Sequence, residues 1–339
     1  AGTMVAPDLD ETASTGVSAL RLQLALSANG QSILYSQARM QAGKVAPTNH
    51  QVFWHDLALG ITEEIDPAIL FQPNADQYRW ARTRFFKPAL SADGRWVAYS
   101  ASHSDVWPTT QLFLRDMLAR TNLLLSVRAG CWNCAREGGD NFSVNPVFSP
   151  DYRWVVFQSS AGNLLSNKTY YGDHYVQLYA RDVASNATRL VSGDVTGAPM
   201  FSGVSAAPAF SASGRYLAFH QFMVSDSPRF DTRSDYRSYL YDFQTLVTTQ
   251  VCVNCLNPTP SADGRWVTFE RVGASNVKYI FIKDMQTGQE QIISTNRAGL
   301  GAANTNSMTP LISADGRFVV FASGASNLVA NDTNNATDI

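Results

Sequence analysis

Apolar-rich runs recur along the chain, and each follows a compact polar turn. Trp96-Val97-Ala98-Tyr99, for example, follows Ser91-Ala92-Asp93-Gly94-Arg95. Asp-Gly or Asn-Gly between two such runs is a strong hairpin signal, because these residues tolerate the positive φ of a tight turn. The phrase occurs six times and predicts β-hairpins near residues 27–36, 91–100, 149–158, 211–220, 261–270 and 313–322. Tyr152 stands where the other copies have Gly, which predicts a different or strained turn.

A second phrase ends in Asp and follows each of the first five hairpins. A run with strand character precedes this Asp, and an apolar run follows it after a short polar turn, whose backbone the Asp is expected to bind. The phrases are Trp54-His55-Asp56, Leu114-Arg115-Asp116, Ala180-Arg181-Asp182, Leu240-Tyr241-Asp242 and Ile282-Lys283-Asp284. Each repeat therefore predicts four antiparallel strands, a to d, and the repeats are 50 to 64 residues apart.

Six four-stranded repeats predict an all-β fold, a six-bladed β-propeller that forms a single domain over residues 1–339. The sixth repeat has its a–b hairpin, and Asp338-Ile339 aligns with the start of strand c. Residues 1–5 resemble the strand d segment at 289–293. We therefore expect the last blade to be closed by both termini, with residues 1–6 as its strand d, which would hide a sheet edge.

The six hairpins resemble the PD40 (WD40-like) repeat of the TolB-like propeller superfamily, whose hairpin reads Ser-x-Asp-Gly-Arg-aromatic-Val-Ala-Phe. The resemblance covers nearly the whole chain and implies the propeller fold. It does not select a function, since that superfamily includes envelope scaffolds, peptidase gating domains, lyases and lectins.

Composition limits the possible partners. Hydrophobic residues make up 45% of the chain, which suffices for a core, and charged residues make up only 16%. The net charge of −2 gives no reason to expect a nucleic acid partner. No apolar run reaches the roughly 18–20 residues of a membrane span, so membrane insertion is not expected.

The four cysteines form two Cys-x-x-Cys pairs, Cys131 with Cys134 and Cys252 with Cys255. No His follows either pair, which argues against covalent haem, and neither pair opens a helix in a βαβ pattern. Two interpretations remain: one metal site that uses all four thiolates, or two local disulfides. In a chain poor in Lys, rich in Asn and starting at a processed-looking Ala1, two disulfides and an extracytoplasmic location (periplasmic, cell-surface or secreted) are favoured.

Candidate binding residues lie in the variable connections between strands, b–c and d–a, which should share one face of the fold. Aromatic and basic residues alternate in one of them and suggest a ligand-binding loop; the alternative, which we favour, is a loop whose rings cover the blade below. These residues are Tyr78, Arg79, Trp80, Arg82 and Arg84. Asp332, Asn334 and Asp338 have the spacing of a calcium loop, although a solvated polar turn explains them equally well, and calcium is the sole cofactor that the sequence suggests.

Catalytic patterns are not evident in the sequence. There is no Gly-x-Ser-x-Gly, and the five histidines occur without His-x-His or His-Glu-x-x-His spacing. The residues favour an exported, non-catalytic module that binds a protein, a glycan or a neighbouring subunit through its long-loop face. The alternative is a polysaccharide-active lyase or hydrolase with its site in the channel mouth.

Overall fold

The computed structural model describes residues 23–39, 49–65, 88–103, 107–131, 137–166, 176–193, 203–223, 236–273, 276–299, 301–332, 334 and 336–339. These residues form 22 β-strands and no helix. The strands make five four-stranded antiparallel sheets and one two-stranded sheet, each in simple chain order. The all-β class predicted from the sequence is confirmed, as is the four-stranded repeat in five of six cases.

Two compact units divide the chain, and the first unit contains the first two sheets. The first sheet comprises β1 (Gln23–Leu26), β2 (Ser32–Arg39), β3 (Asn49–Asp56) and β4 (Ile61–Glu64). The second comprises β5 (Ala89–Leu90), β6 (Trp96–His103), β7 (Trp107–Asp116) and β8 (Thr121–Leu124). Within this unit the buried Arg115 of β7 forms an ion pair with Glu63 of β4, so the two sheets are joined by a charge pair as well as by apolar contacts.

The second unit contains the remaining sheets, apart from residues 144–146 of β9. The third sheet comprises β9 (Ser143–Phe148), β10 (Trp154–Ser159), β11 (Gln177–Asp182) and β12 (Thr188–Leu190). The fourth comprises β13 (Gly203–Phe210), β14 (Tyr216–Met223), β15 (Tyr236–Asp242) and β16 (Val247–Val253). The fifth comprises β17 (Cys255–Pro260), β18 (Trp266–Val272), β19 (Lys278–Asp284) and β20 (Glu290–Ile292), and the last sheet comprises β21 (Ser307–Ile312) and β22 (Val319–Ser323).

Each a–b hairpin is built by the same local bonds. In the second sheet the N–H of Gly94 donates to the carbonyl of Ser91 at 2.9 Å, and the N–H of Trp96 donates to the Ser91 hydroxyl at 2.8 Å. Tyr152 forms this same turn, with its N–H 2.9 Å from the carbonyl of Ser149 and a φ of 59°. The expectation of a different turn at Tyr152 is therefore wrong, and that of strain is supported, because a bulky residue rarely adopts a positive φ.

The Asp that ends each strand c binds the c–d turn, as predicted. Asp116 accepts the backbone N–H groups of Leu118 and Ala119 at 3.0 and 3.1 Å. It also pairs with Arg95 of the a–b turn at 2.6 Å, and this guanidinium lowers the pKa of the Asp116 carboxyl. The same Arg–Asp clamp occurs in the next three sheets, as Arg153–Asp182, Arg215–Asp242 and Arg265–Asp284.

The apolar core of the second unit lies between successive sheets. One cluster includes Val156, Leu178, Leu217 and Phe219, all buried, from the third and fourth sheets. A second cluster joins the fourth and fifth sheets through residues that include Val267 and Phe269. Strands b and c supply most of these side chains, which explains why their runs are the most apolar in the sequence.

The last sheet differs from the others because only strands a and b are complete in it. Asp338 pairs with Ser323 of β22, and both backbone bonds between them are 2.8–2.9 Å long. Tyr279 of the fifth sheet pairs with Arg271 in the same register, so Asp338 lies at the start of a strand c, as predicted. Residues 1–6 lie outside the described residues, and closure of this sheet by them stays a prediction.

Candidate functional site

Strand a has a residue of positive φ directly before a proline in four sheets, and in three of them the pairing with strand b shifts register there, as in a β-bulge. The bulged residue has a φ near 50° and precedes a Pro that stands three residues before the turn Ser. These residues are Asn145, Ala207, Asn257 and Thr309. A bulge interrupts the ladder, so its N–H group needs an acceptor from elsewhere.

The acceptor for two of these bulges is a side chain on strand b of the preceding sheet. The N–H of Asn257 donates to Nδ1 of His220 at 3.2 Å, and the N–H of Thr309 donates to Oε1 of Glu270 at 2.8 Å. The Asn257 side chain also donates to Oε1 of Glu270, at 2.7 Å. His220, Asn257, Glu270 and Thr309, which we call the bulge relay, thus connect the fourth, fifth and last sheets.

Charge and burial fix the state of the relay. Glu270 is 1% exposed, and its Oε2 lies 3.2 Å from the Nζ of Lys278, which balances the buried charge. Burial lowers the pKa of His220 to about 4, so the imidazole is neutral at pH 7. Since Nδ1 accepts the Asn257 amide, the hydrogen bond assigns the His220 proton to Nε2.

Most of the acceptor atoms in the relay bind groups of the bulged strands. A general base needs an available lone pair within reach of a reacting proton. The Nδ1 lone pair of His220 is used by a backbone amide, and Oε1 of Glu270 accepts two amide groups, while Oε2 takes part only in the ion pair with Lys278. We conclude that these groups hold bulged strands in register between neighbouring sheets.

The disulfide between Cys252 and Cys255 is present, with an S–S distance of 1.94 Å. It joins Cys252 of β16, strand d of the fourth sheet, to the first residue of the fifth sheet, since only Asn254 separates β16 from β17. The expectation that all d–a connections are long is therefore wrong here: Asn254, with a φ of 56°, makes the link alone. Cys131 is also disulfide-bonded, and Cys134 lies outside the described residues.

The structure brings together two of the three predicted calcium ligands. The side-chain amide of Asn334 donates to both carboxylate oxygens of Asp338 at 3.2 Å, and its Oδ1 accepts the N–H of Ala336 at 2.9 Å. Asp332 forms no hydrogen bond with either of these two side chains. This arrangement is that of a polar turn, and calcium binding by it stays a prediction.

The predicted ligand-binding loop lies outside the described residues. All five of its residues belong to the stretch 66–87, so their role as a binding site stays a prediction. They are Tyr78, Arg79, Trp80, Arg82 and Arg84.

Solved structures similar to this chain include several propellers. The β-propeller domain of the trilobed protease from Pyrococcus furiosus aligns with 89% of this chain and 80% of its own, at 11% identity and a TM-score of 0.53. An oligogalacturonate lyase in complex with manganese aligns with 88% of this chain and 72% of its own, at 13% identity and a TM-score of 0.53.

The fold is that of a β-propeller. TolB from Acinetobacter baumannii also aligns, over 90% of this chain and 58% of its own, at 16% identity and a TM-score of 0.41. No family model matches the sequence, and no curated protein matches it. At these identities the likeness establishes the fold alone, and each four-stranded sheet is a blade of that fold.

Manganese in the similar lyase raises the question of a metal site in this propeller. Among the described residues, no three His, Cys, Asp or Glu side chains converge in a way that would hold a metal ion. His55, one of the described histidines, instead shares a hydrogen bond of 2.7 Å with Thr62. This part of the chain therefore does not fit a manganese centre.

Sequence reasoning missed the bulge relay, although a signal was present. His220 and Glu270 each stand nine residues after the Ser of their a–b turn, directly after the Phe of strand b. Aligning the repeats on that Ser would have placed both polar side chains at one blade position. It would not have revealed their partners, since the positive φ at Asn257 and Thr309 depends on contacts between blades.

Within the described ranges, no helix has the length and apolarity needed to cross a membrane.

Proposed function

We propose that this chain is an exported six-bladed propeller that acts as a non-catalytic binding or assembly module. Its partner would be a protein, a glycan or a neighbouring subunit, held by the face formed by the b–c and d–a connections. The observation that carries the proposal is the bulge relay: the ionisable groups that blades 4 and 5 bring together, His220 and Glu270, accept hydrogen bonds from the bulged strands of the next sheet.

The difference between turns and connections supports the choice of face. The a–b turns share one set of bonds, and so do the c–d turns, so neither offers a surface particular to one partner. The b–c connections differ strongly in length, from residues 104–106 in blade 2 to residues 160–176 in blade 3. Recognition generally resides in such variable loops on a rigid scaffold.

Export is supported by the disulfide chemistry. The Cys252–Cys255 bond requires an oxidising compartment to persist, and Cys131 is oxidised as well. The proposal therefore places the protein in the periplasm, on the cell surface or in the medium.

The test is retention of a ligand from the native source by the immobilised protein. A variant in which Tyr78, Arg79, Trp80, Arg82 and Arg84 are all Ala should lose the ligand. Leu59→Ala with Leu118→Ala, at two exposed c–d turn positions, is the matched control and should retain it. Identification of the retained molecule by mass spectrometry then names the partner.

The catalytic alternative is tested in parallel. The protein is incubated with oligogalacturonate, with and without manganese, and unsaturated products are followed by ultraviolet absorbance. Sustained turnover would contradict the proposed non-catalytic role, whereas binding without turnover supports it.

A further inference from the structure

Blades 3 and 5 each place a cation directly before the Asp that ends strand c. In blade 5 this cation is Lys283, whose Nζ lies 3.4 Å from Glu290, the residue opposite it on strand d. The cation at the same place in blade 2, Arg115, also has a carboxylate partner. In blade 3 the cation is Arg181 and the residue opposite is Thr188. Among the described residues, no carboxylate forms an ion pair with Arg181.

The charge of Arg181 is buried in blade 3. Arg181 is 8% exposed, and this burial lowers the pKa of its guanidinium, although the nearby charge of Asp182 acts in the opposite direction. Asp182 is itself paired with Arg153 at 3.0 Å. A guanidinium stays charged at neutral pH, and a buried charge is costly unless a counter-charge lies close to it. The site of Arg181 therefore favours an added anion.

One edge of the Arg181 guanidinium has donors to spare. Nη1 donates to the hydroxyl of Thr188 at 2.8 Å, whereas Nη2 makes only a long bond of 3.5 Å to Oδ1 of Asn186. Nε is buried and has no hydrogen-bond partner in the part of the chain that the structure describes. In Arg95 the same two nitrogens, Nε and Nη2, bind the carboxylate of Asp116 at 3.0 and 2.6 Å. This edge of a guanidinium matches a bidentate oxygen acceptor.

The two polar neighbours of Arg181 are neutral and can also donate. The Thr188 hydroxyl accepts from Nη1 and keeps its own proton to donate. Asn186 is exposed in the c–d turn, and a rotation of its side chain exchanges the oxygen near Nη2 for an amide donor. The same rotation uncovers Nη2, so the turn provides both a route to the guanidinium and a further donor.

We propose that Arg181, Asn186 and Thr188 form a binding site for a small free oxyanion, such as phosphate or sulfate, at the c–d turn of blade 3. The anion accepts from Nε and Nη2 of Arg181, and from the amide of Asn186 once that side chain has rotated. It supplies the counter-charge that Glu290 gives to Lys283 in blade 5. This inference goes beyond the proposed function, because it concerns a c–d turn and not the connection face.

Inorganic phosphate is the probe for this site. The melting temperature of the 339-residue protein is followed while phosphate replaces chloride at constant ionic strength and neutral pH. We expect a saturable rise of about 2 °C at ten times the Kd. Phosphate also stabilises proteins through its exclusion from their surface, and that effect does not saturate. Saturation is therefore the criterion for binding.

Variants of the cation test which group binds the phosphate. Arg181→Gln should abolish the saturable rise. Arg181→Lys should weaken phosphate binding by about tenfold, because an ammonium group keeps the charge but cannot bind two oxygens along one edge. Arg317→Gln removes an arginine whose side chain is 73% exposed, and this matched control should leave the rise unchanged.

A carboxylate introduced into blade 3 tests the site without removing the cation. Thr188→Glu copies the arrangement of Lys283 and Glu290, so it should raise the melting temperature in phosphate-free buffer by about 2 °C and abolish the response to phosphate. Asn186→Asp, next to Nη2, should have the same two effects to a smaller extent.

Three results would overturn the proposal. They are a melting temperature that rises without saturation, a saturable rise that persists in Arg181→Gln or in Thr188→Glu, and an equal loss of the rise in Arg317→Gln. If Arg181→Gln does not fold, Thr188→Glu and Asn186→Asp decide by the same criterion, since both retain the cation.

Discussion

Blade 5 and the last sheet have a–b hairpins with the same turn bonds, but the two hairpins differ in how deeply their side chains are buried. In both, the residue two positions after the turn Gly, Trp266 or Phe318, donates its N–H to the turn Ser hydroxyl at 3.0 Å. Thr268 of β18 is nevertheless fully buried, while Val320 at the same position of β22 is 50% exposed. The hairpin thus forms from local turn chemistry, whereas burial depends on strands c and d.

Blade 5 and the last sheet also differ in the hydrogen bonds of the bulge relay. Glu270 of blade 5 accepts the bulge amide of Thr309 in the last sheet. The equivalent residue of β22 is Ala322, which has no acceptor to offer a following bulge. The relay therefore reaches the last sheet and ends there, so blade 5 is bonded to its preceding blade through His220 and to the following sheet through Glu270.

The largest expected effect comes from truncating the strand b aromatic in each sheet. Phe269→Ala removes a fully buried ring stacked on Phe281 and should cost about 3–5 kcal/mol of unfolding free energy. Phe321→Ala removes a half-buried ring without such a partner and should cost about 1 kcal/mol. Chemical denaturation of both variants measures the difference, and equal losses would show that the last sheet is as fully covered as blade 5.

A smaller effect is expected from His220 on acidification. Its pKa is about 4 in the folded protein and near 6.5 when unfolded, so the unfolded state binds more protons between these values. Stability should therefore fall as the pH drops from about 6.5 to 4, by up to about 3 kcal/mol from this group.

The variant His220→Gln should remove this part of the pH dependence and retain an acceptor for the Asn257 amide. Gln158 occupies the same position in blade 3, which makes the substitution a conservative one. His55→Gln on β3 is the control, and melting temperatures across this pH range provide the measurement. If the melting temperature of His220→Gln depends on pH as steeply as that of the unchanged protein, His220 does not cause the acid sensitivity.

Glycine substitutions in the a–b turns should destabilise blade 5 and the last sheet to a similar extent. A Cβ on Gly264 would lie 2.7 Å from the ring of Tyr216, and one on Gly316 would lie 2.7 Å from Trp266, in each case a residue of the preceding sheet. Both Ala variants should lose about 2–3 kcal/mol, from the positive φ and the clash together.

Gly214→Ala is the matched comparison, with the same positive φ and its nearest neighbour at 3.5 Å. It should lose about 1 kcal/mol, because only the backbone strain applies. A loss in Gly316→Ala as small as in Gly214→Ala would mean that the last turn is not packed on blade 5 as firmly as its contacts indicate.

The features that the sequence could predict are those that depend on contacts within one turn. Features that depend on contacts between blades could not be predicted. Ser261-Ala262-Asp263-Gly264 contains the groups that bond the a–b turn, and Asp284 stands directly before its c–d turn, so the hairpin and the bonds of Asp284 to that turn were predictable, whereas the ion pair with Arg265 was not predicted. The one-residue link at Asn254 was not, because Cys-x-x-Cys gives no sign of where β16 ends and β17 begins. The bulge at Asn257 was not either, since a residue before Pro is normally extended and its acceptor lies on another blade.

The smallest expected effect concerns calcium at the b–c connection of the last sheet. Asp332, Asn334 and Asp338 lie there, whereas residues 273–277 of blade 5 contain no carboxylate, so an ion would distinguish the two sheets. For calcium to bind, the amide of Asn334 must turn its oxygen toward the ion and release both Asp338 oxygens. A ligand that binds only the folded state at ten times its Kd stabilises by about 1.4 kcal/mol. Chelation should therefore lower the melting temperature slightly, and Asp332→Asn should abolish that response while Asp315→Asn, in the a–b turn of the same sheet, preserves it. An identical melting temperature with chelator and with excess calcium would leave this connection as a polar turn held by Asn334 and Asp338 alone.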